Sequence, residues 1–405
     1  VSLLAPLRGL RPPPERAAEV AELPYDVMTR DEARTMAAGR PYSFLHVSRP
    51  DIDLPDGVPG DSPEGLALAA RAFQRLQTDG LLVRDPTPAL HAYRLTRDGH
   101  RQTGVVGVAD LNAYDSGRIR RHELTTHAKQ ADRVAHMEAL DAQTGPVFMI
   151  HRPSDAIRQA LAETTQEPAP TSVSRPEGVL HELWPIDDPA QVDALVSAFD
   201  ALDALYIADG HHRSAAASTV HDRRHTAASG AFLAVCFPSD EVQILPYNRL
   251  VTTPEGTSPD DVLEALAVRV EVEPADAQLV PSMPGQFGLY LAGRWYRLRL
   301  PTDLLAGLDP VDRLDAALLQ TQVLSPVFGI DDPRADARLG FVGGTRSLAE
   351  MEAAVDDGAW TAAVSTCATR VDDLLAVSDA GMIMPPKSTW FEPKLLDGLV
   401  SHLLT

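Results

Sequence analysis

The stretch YIADGHHRSAAAS, residues 206–218, sets an acid, a glycine, two imidazoles and a guanidinium at one bend: Asp209, Gly210, His211, His212 and Arg213. The residues before the bend read as a buried strand and those after it as a helix. A helix starting just after Gly210 turns its unpaired N–H groups and the positive end of its dipole toward the bend. An anion is stabilised there, and a glycine lets it approach the backbone closely. Arg213 adds a two-pronged phosphate contact. Asp209 is placed to cap the helix, to hold a metal ion or to act as a base. Neighbouring histidines diverge on a helix, which argues against the i,i+4 ligand pair of a simple zinc site. The bland alternative is an Asp cap followed by solvated histidines.

Three more stretches concentrate polar chemistry. In HELTTHAKQADR (122–133), Glu123 is a candidate base beside two cations, Lys129 and Arg133, suited to phosphate. On a single helix Lys129 and Arg133 share a face while Glu123 lies about 240° away, so a kink or loop must bring it near. The plain alternative is a solvated charged helix. His127 and His136 read as surface residues. In MPPKSTWFEPKLLDGL (384–399), the two prolines impose an extended approach, and Lys387, Ser388 and Thr389 then offer an ammonium and two hydroxyls. The triplet suits phosphate but lacks the GxxxxG of a Walker A loop. Lys394 is a second cation, equally suited to the surface. In PYDV (24–27), Asp26 follows Tyr25 in a proline-led turn, where an Asx turn is the ordinary reading. GFVGGT (340–345) is a further, less specific candidate for a phosphate loop.

The elements that must position these residues alternate between strand and helix. Residues 62–80 have apolar spacing for a helix that stops at Gly80. ALHAYRLT and QTGVVGVADL read as paired strands, PVFMIHR as another, and 286–300 as a hairpin around Ala292-Gly293. Residues 1–50 look irregular, with PYSFLHV as a short extended piece. The pattern implies an α/β, mixed α+β architecture with several domains. The expected division is 1–151, an α/β domain carrying PYDV and HELTT; 152–251, carrying DGHHR; and 252–405, an α/β region whose MPPKSTWF segment returns to the active site.

The chain has 405 residues and a formal net charge of −21. So acidic a surface repels phosphate backbones and disfavours nucleic acid as a partner, while leaving room for a local pocket for a small anion. Cys236 and Cys367 show no pairing pattern and read as free thiols. No apolar run approaches 18 residues and the first residues do not resemble a signal peptide. The expectation is a cytoplasmic protein that meets small molecules, not a membrane, with its oligomeric state unspecified.

Taken together and in this order, PYDV, HELTTHAKQADR, IADGHHR and MPPKSTWFEPKLLDGL resemble the DUF1015 family over almost the whole length. Members carry P-x-H-R after the strand that follows DGHHR. Here LPYNRLV stands there, with Asn248 in place of the histidine and Arg249 kept. The DGHHR turn is also similar to that of the ParB/sulfiredoxin-like nucleotide-binding proteins, notably free-serine kinases. This resemblance implies a nucleotide-binding core of that type and phosphoryl transfer to serine or a related hydroxy amino acid. Under it, Gly210, His211, His212, Arg213, Lys387, Ser388 and Thr389 hold the phosphates of ATP or ADP. Tyr25, Asp26, Lys129, Arg133 and Arg249 hold the substrate. Glu123 is the base, with Asp26 or His212 as alternatives, and Asp209 is the ligand for Mg²⁺. Three rivals remain: a nucleotide hydrolase, a metal enzyme using His122, His211 and His212, and a non-catalytic nucleotide-binding regulator.

Overall fold

A computed structural model describes residues 2–405. The chain forms two compact units, one made of the residues up to Val242 together with Pro393–Thr405, the other of Gln243–Glu392. Both mix strands and helices, so the fold is mixed α/β and multi-domain, as the alternation implied.

In the first unit, α1 (Arg30–Ala37) begins with a capping box between Thr29 and Glu32, and α2 (Pro63–Thr78) is capped by Ser62. The paired strands follow as β1 (Leu90–Arg97) and β2 (His100–Asp110), joined in antiparallel register from His91↔Val106 to Arg97↔His100. Then come α3 (His127–Leu140), β3 (Val147–His151), α4 (Asp155–Thr164), β4 (Thr171–Ser174) and β5 (Leu180–Ile186). They are followed by α5 (Pro189–Asp200), β6 (Leu205–Asp209), α6 (His211–Arg224) and β7 (Ala231–Pro238). These strands make one nine-stranded mixed sheet. Its order is Ile119–Arg120, β6, β3, β7, β2, β1, β5, β4, with Leu4–Ala5 added on β2.

Buried on one side of this sheet are Val105, Met149, Leu205, Ile207, Ala216, Phe199 and Phe232, all at most 1% exposed. Each large apolar side chain so buried contributes about 1.5–3 kcal/mol.

Two expectations are corrected here. The boundary after residue 151 does not exist, because β3 is hydrogen-bonded to β6 on one side and β7 on the other. A cut there would leave a sheet interior unpaired. The FLHV part of PYSFLHV is helical over Leu45–Ser48, because Phe44 and Val47 bury against α2 while Leu45 buries with Ala33 and Ala37 of α1.

In the second unit, β8 (Tyr247–Val251), α7 (Pro259–Ala267), β9 (Glu271–Ala275), β10 (Gln286–Leu291) and β11 (Arg294–Arg299) come first. They are followed by β12 (Leu339–Gly343), α8 (Leu348–Asp356), β13 (Ala362–Thr366) and α9 (Val371–Asp379). The six strands are ordered β9, β11, β10, β13, β8, β12. The hairpin of β10 and β11 turns at Ala292–Gly293, both with positive φ (50° and 78°), the geometry of a tight two-residue turn. GFVGGT forms β12 and its exit. A Cβ at Gly343 would stand 2.7 Å from the Trp390 ring, so aromatic packing requires this glycine.

Among the described residues, no helix is long and apolar enough to cross a membrane.

Candidate functional site

The strand–turn–helix around DGHHR has the form that its sequence implies. β6 ends at Asp209, Gly210 is the N-cap, and α6 starts at His211. The pairing of β6 with β3 shifts register between Ile207 and Asp209, a bulge that re-aims the strand end. Gly210 has φ 96° and ψ 25°, and a Cβ there would lie 3.3 Å from the Val147 Cα. A side chain is disfavoured by both conformation and space. Gly210→Ala is expected to destabilise the protein by about 1–3 kcal/mol, read as a lowered thermal midpoint.

The two histidines face the loop that carries Glu123. His211 is buried, and its Nε2 accepts the His122 main-chain N–H at 3.5 Å. That leaves Nδ1 to carry the proton, and Nδ1 lies 3.9 Å from the Glu123 carboxylate. Burial and the adjoining His122 ring, 4.5 Å away edge-on, hold the His211 imidazole well below its usual value and so neutral. His212 Nε2 accepts the Thr126 N–H at 3.2 Å. The histidines thus brace residues 122–126 as a loop ahead of α3. That loop is what brings Glu123, half-buried at 39% exposure, to the helix end.

Arg213 gathers the rest. It donates to the Pro146 carbonyl at 2.8 Å and to Asp26 at 3.4 Å, and its guanidinium lies over the Tyr25 ring at 5.4 Å. Burial opposes its charge, but Asp26, Asp397, Tyr25 and Asp209 outweigh that and raise its pKa. Arg133 stacks on the same Tyr25 ring at 3.9 Å and grips Asp132 through two N–H groups. Burial, aided by Asp26, pushes the Tyr25 phenol up to about 12. Arg49 fixes the turn from below, donating to the carbonyls of Tyr25 (3.0 Å) and Met28 (2.7 Å) and pairing with Asp51. A pocket of about 440 Å³ opens here, lined by Tyr25, Arg49, Asp51, Lys129, Asp132 and Arg133. Lys129 forms no ion pair among the described residues and so has an ammonium to offer.

Sequence reasoning missed Arg49 and Asp397 and left Lys394 open between a second cation and a surface residue. Lys394 pairs with Asp209 at 2.9 Å. Burial pushes the Asp209 carboxyl up, but Lys394 and Arg213 prevail and hold it well below the carboxylate range. Asp209, expected to hold Mg²⁺, is thus already paired with an ammonium. His136 is buried, not exposed, and bonds the Val47 carbonyl at 2.9 Å.

Asp397 is 2% exposed and sits beside Arg213, lining a small inner cavity with Thr144 and Gly145. Burial pushes its carboxyl up to about 7, against the pull of Arg213 and with help from Asp26. A carboxyl raised on folding holds its proton more tightly in the folded state. Stability therefore falls as pH rises from about 4, the unfolded value, to about 7. Asp397→Asn is expected to lose that slope, gaining thermal midpoint on the natural protein as pH climbs through this window. The difference between the two proteins cancels Asp315, which burial also raises to about 7.

The remaining predicted residues lie in the second unit. Arg249 is buried and donates to the carbonyls of Tyr247, Asn248 and Lys387. The Ser388 carbonyl accepts from Thr369 at 2.7 Å, and Thr389 follows directly. Asn248 accepts the Thr366 N–H at 3.0 Å, a bond that ties β8 to the end of β13.

The profile of the family described as "Protein of unknown function (DUF1015)" matches residues 4–317. The chain belongs to the DUF1015 family. No curated protein matches it. This DUF1015 chain is similar in structure to a conserved hypothetical protein from Pyrococcus furiosus, at 12% identity over 72% of this chain and 93% of that one, with a TM-score of 0.37. It is similar to a free serine kinase in complex with AMP (12% identity, 71% and 86% coverage, TM-score 0.36). It is also similar to SbnI with a C-terminal truncation from Staphylococcus aureus (11% identity, 72% and 85% coverage, TM-score 0.39).

Proposed function

We propose that this DUF1015 protein is a nucleotide-dependent phosphotransferase acting on the hydroxyl of a small hydroxy amino acid, with free serine as the reference acceptor. The observation that carries the reading is convergence. Residues from PYDV, HELTTHAKQADR and DGHHR, distant in sequence, meet at one helix N-terminus through Arg213–Asp26 (3.4 Å), His211–Glu123 (3.9 Å) and the shared Tyr25 ring. Phosphoryl transfer needs mainly positioning and charge neutralisation. The Gly210–Arg213 turn supplies backbone donors and a cation for the phosphates of ATP or ADP.

The pocket beside it holds acids and cations together. Lys129 and Arg133 suit an amino acid's carboxylate, and Asp51 or Asp132 suits its ammonium. In the reaction the substrate hydroxyl oxygen bonds the terminal phosphorus, and the bond to the nucleotide oxygen breaks with its electron pair. Glu123 takes the hydroxyl proton. Asp26 is a weaker choice because it pairs with Arg213, and so is His212, whose Nε2 is engaged by Thr126.

The test is incubation with ATP or ADP, Mg²⁺ and serine, followed by phosphorus NMR. Phosphoserine is the expected product, and other hydroxy amino acids are the second panel. Nucleotide hydrolysis at a rate indifferent to every hydroxy acid would replace this reading with a hydrolase. Tight nucleotide binding without turnover would replace it with a regulator.

A further inference from the structure

The second unit contains a cationic cluster without a counter-ion. Arg249 is 4% exposed, and among the described residues its guanidinium forms no ion pair with a carboxylate. Three main-chain carbonyls take three of its N–H groups, and a guanidinium has five. Its flat face lies over Phe341 at 4.6 Å and near Tyr247 at 5.8 Å. Burial lowers it to about 10, the direction expected of a cation desolvated with no acid beside it.

A second cation faces the same ring. The Lys387 ammonium stands 5.5 Å from the Tyr247 centroid. Lys387 is exposed, forms no ion pair among the described residues, and has φ 59°, a left-handed conformation that a lysine rarely adopts. That conformation is held from several sides. Arg249 donates to the Lys387 carbonyl at 3.2 Å, Ser388 Oγ donates to the Pro385 carbonyl at 2.7 Å, and Thr369 donates to the Ser388 carbonyl at 2.7 Å. A strained backbone so firmly held fixes the point and direction from which the lysine side chain leaves the turn. In a chain of net charge −21, two cations meeting on one aromatic ring with no acid between them is the reverse of the average surface.

We propose that Arg249, Lys387 and the Pro385–Ser388 turn form an oxyanion-binding site of the second unit, taking the phosphate or carboxylate group of a small metabolite. Lys387 contributes a point charge at the mouth. Arg249 contributes its remaining N–H groups from within and holds the turn. The site stands on the second unit's own residues, and its existence does not depend on phosphoryl transfer in the first.

The experiment is isothermal titration of the full chain with inorganic phosphate and, in a parallel arm, acetate, both without nucleotide. Lys387→Gly is the main variant, because glycine accepts the left-handed conformation and the ammonium alone is lost. The expected result is saturable binding that weakens at least about tenfold in Lys387→Gly, with a thermal midpoint equal to or above that of the natural protein. Arg249→Gln, checked for folding by its thermal midpoint, is expected to weaken the same binding. Preference for phosphate or for acetate identifies the source of the oxyanion. Absence of binding in the natural protein, or binding unchanged in Lys387→Gly, overturns the proposal. So does binding lost in Arg133→Gln but retained in Lys387→Gly, since it would place the anion in the first unit. A failed phosphotransfer assay leaves all these readings intact and overturns only the proposal for the first unit.

Discussion

Arg213→Met is expected to lower the thermal midpoint by on the order of 10 °C and to abolish nucleotide binding. The side chain is nearly the same length, so packing is largely kept while the charge goes. Asp26 and Asp397 would lose the cation that compensates them, while Asp209 would keep Lys394. Removing one partner of a buried ion pair typically costs about 3–5 kcal/mol, because the other charge stays buried alone. For a chain of this size each kcal/mol moves the midpoint by about 2–4 °C. Arg213→Lys should fall between, keeping the charge but losing the fork that reaches Pro146 and Asp26 together. The double variant Arg213→Met/Asp397→Asn supplies the decisive comparison. If the stranded carboxyl is the cause, neutralising it restores part of the lost stability. If Arg213→Met melts within about 2 °C of the natural protein, the guanidinium is not the hub described above.

That hub explains a division of labour that the residue types alone conceal. Two histidines next to an acid invite a metal or a proton relay. Instead both Nε2 atoms accept main-chain N–H groups from the 122–126 loop. Burial keeps His211 neutral, and that neutrality is what leaves its Nε2 free to accept. Asp209, the obvious metal ligand, is likewise spoken for by Lys394. Under the proposed function the chemistry falls to groups at the rim: Glu123 on the braced loop, Lys129 and Arg133 on one face of α3, and the N–H groups after Gly210.

Much of the local structure was legible because it depends on short-range rules. The β6–Gly210–α6 turn, the Ser62-capped helix and the hairpin at Ala292-Gly293 follow from period, caps and turn residues. The sharing of a helix face by Lys129 and Arg133 was readable in the same way, and so was the need for a loop to deliver Glu123. What was not legible depends on long-range pairing. β3 lies between β6 and β7, which come more than fifty residues later, so a boundary drawn after residue 151 cut through a sheet that nothing local revealed. Lys394 and Asp397 sit within a stretch already singled out, yet nothing local says that residues so near the end reach Asp209 and Arg213. Arg49 follows no motif. Only its bonds to the Tyr25 and Met28 carbonyls reveal that it holds the turn.

Glu123→Gln is expected to lower kcat about 10²–10⁴-fold while leaving the KM for nucleotide within about twofold, the range for loss of a positioned general base. The amide keeps the size and the contact near His211 Nδ1 but cannot accept the hydroxyl proton. Glu123→Asp should retain more activity than Glu123→Gln, since the carboxylate survives at a shorter reach. A merely structural residue would behave otherwise, with both variants losing nucleotide affinity and thermal midpoint together. The half-buried position of Glu123 makes the distinction measurable, because little packing is lost when its charge is removed. Should Glu123→Gln turn over at the natural rate, the base must lie elsewhere. Asp26 is the alternative carboxylate, and its pairing with Arg213 would then have to open when substrate binds.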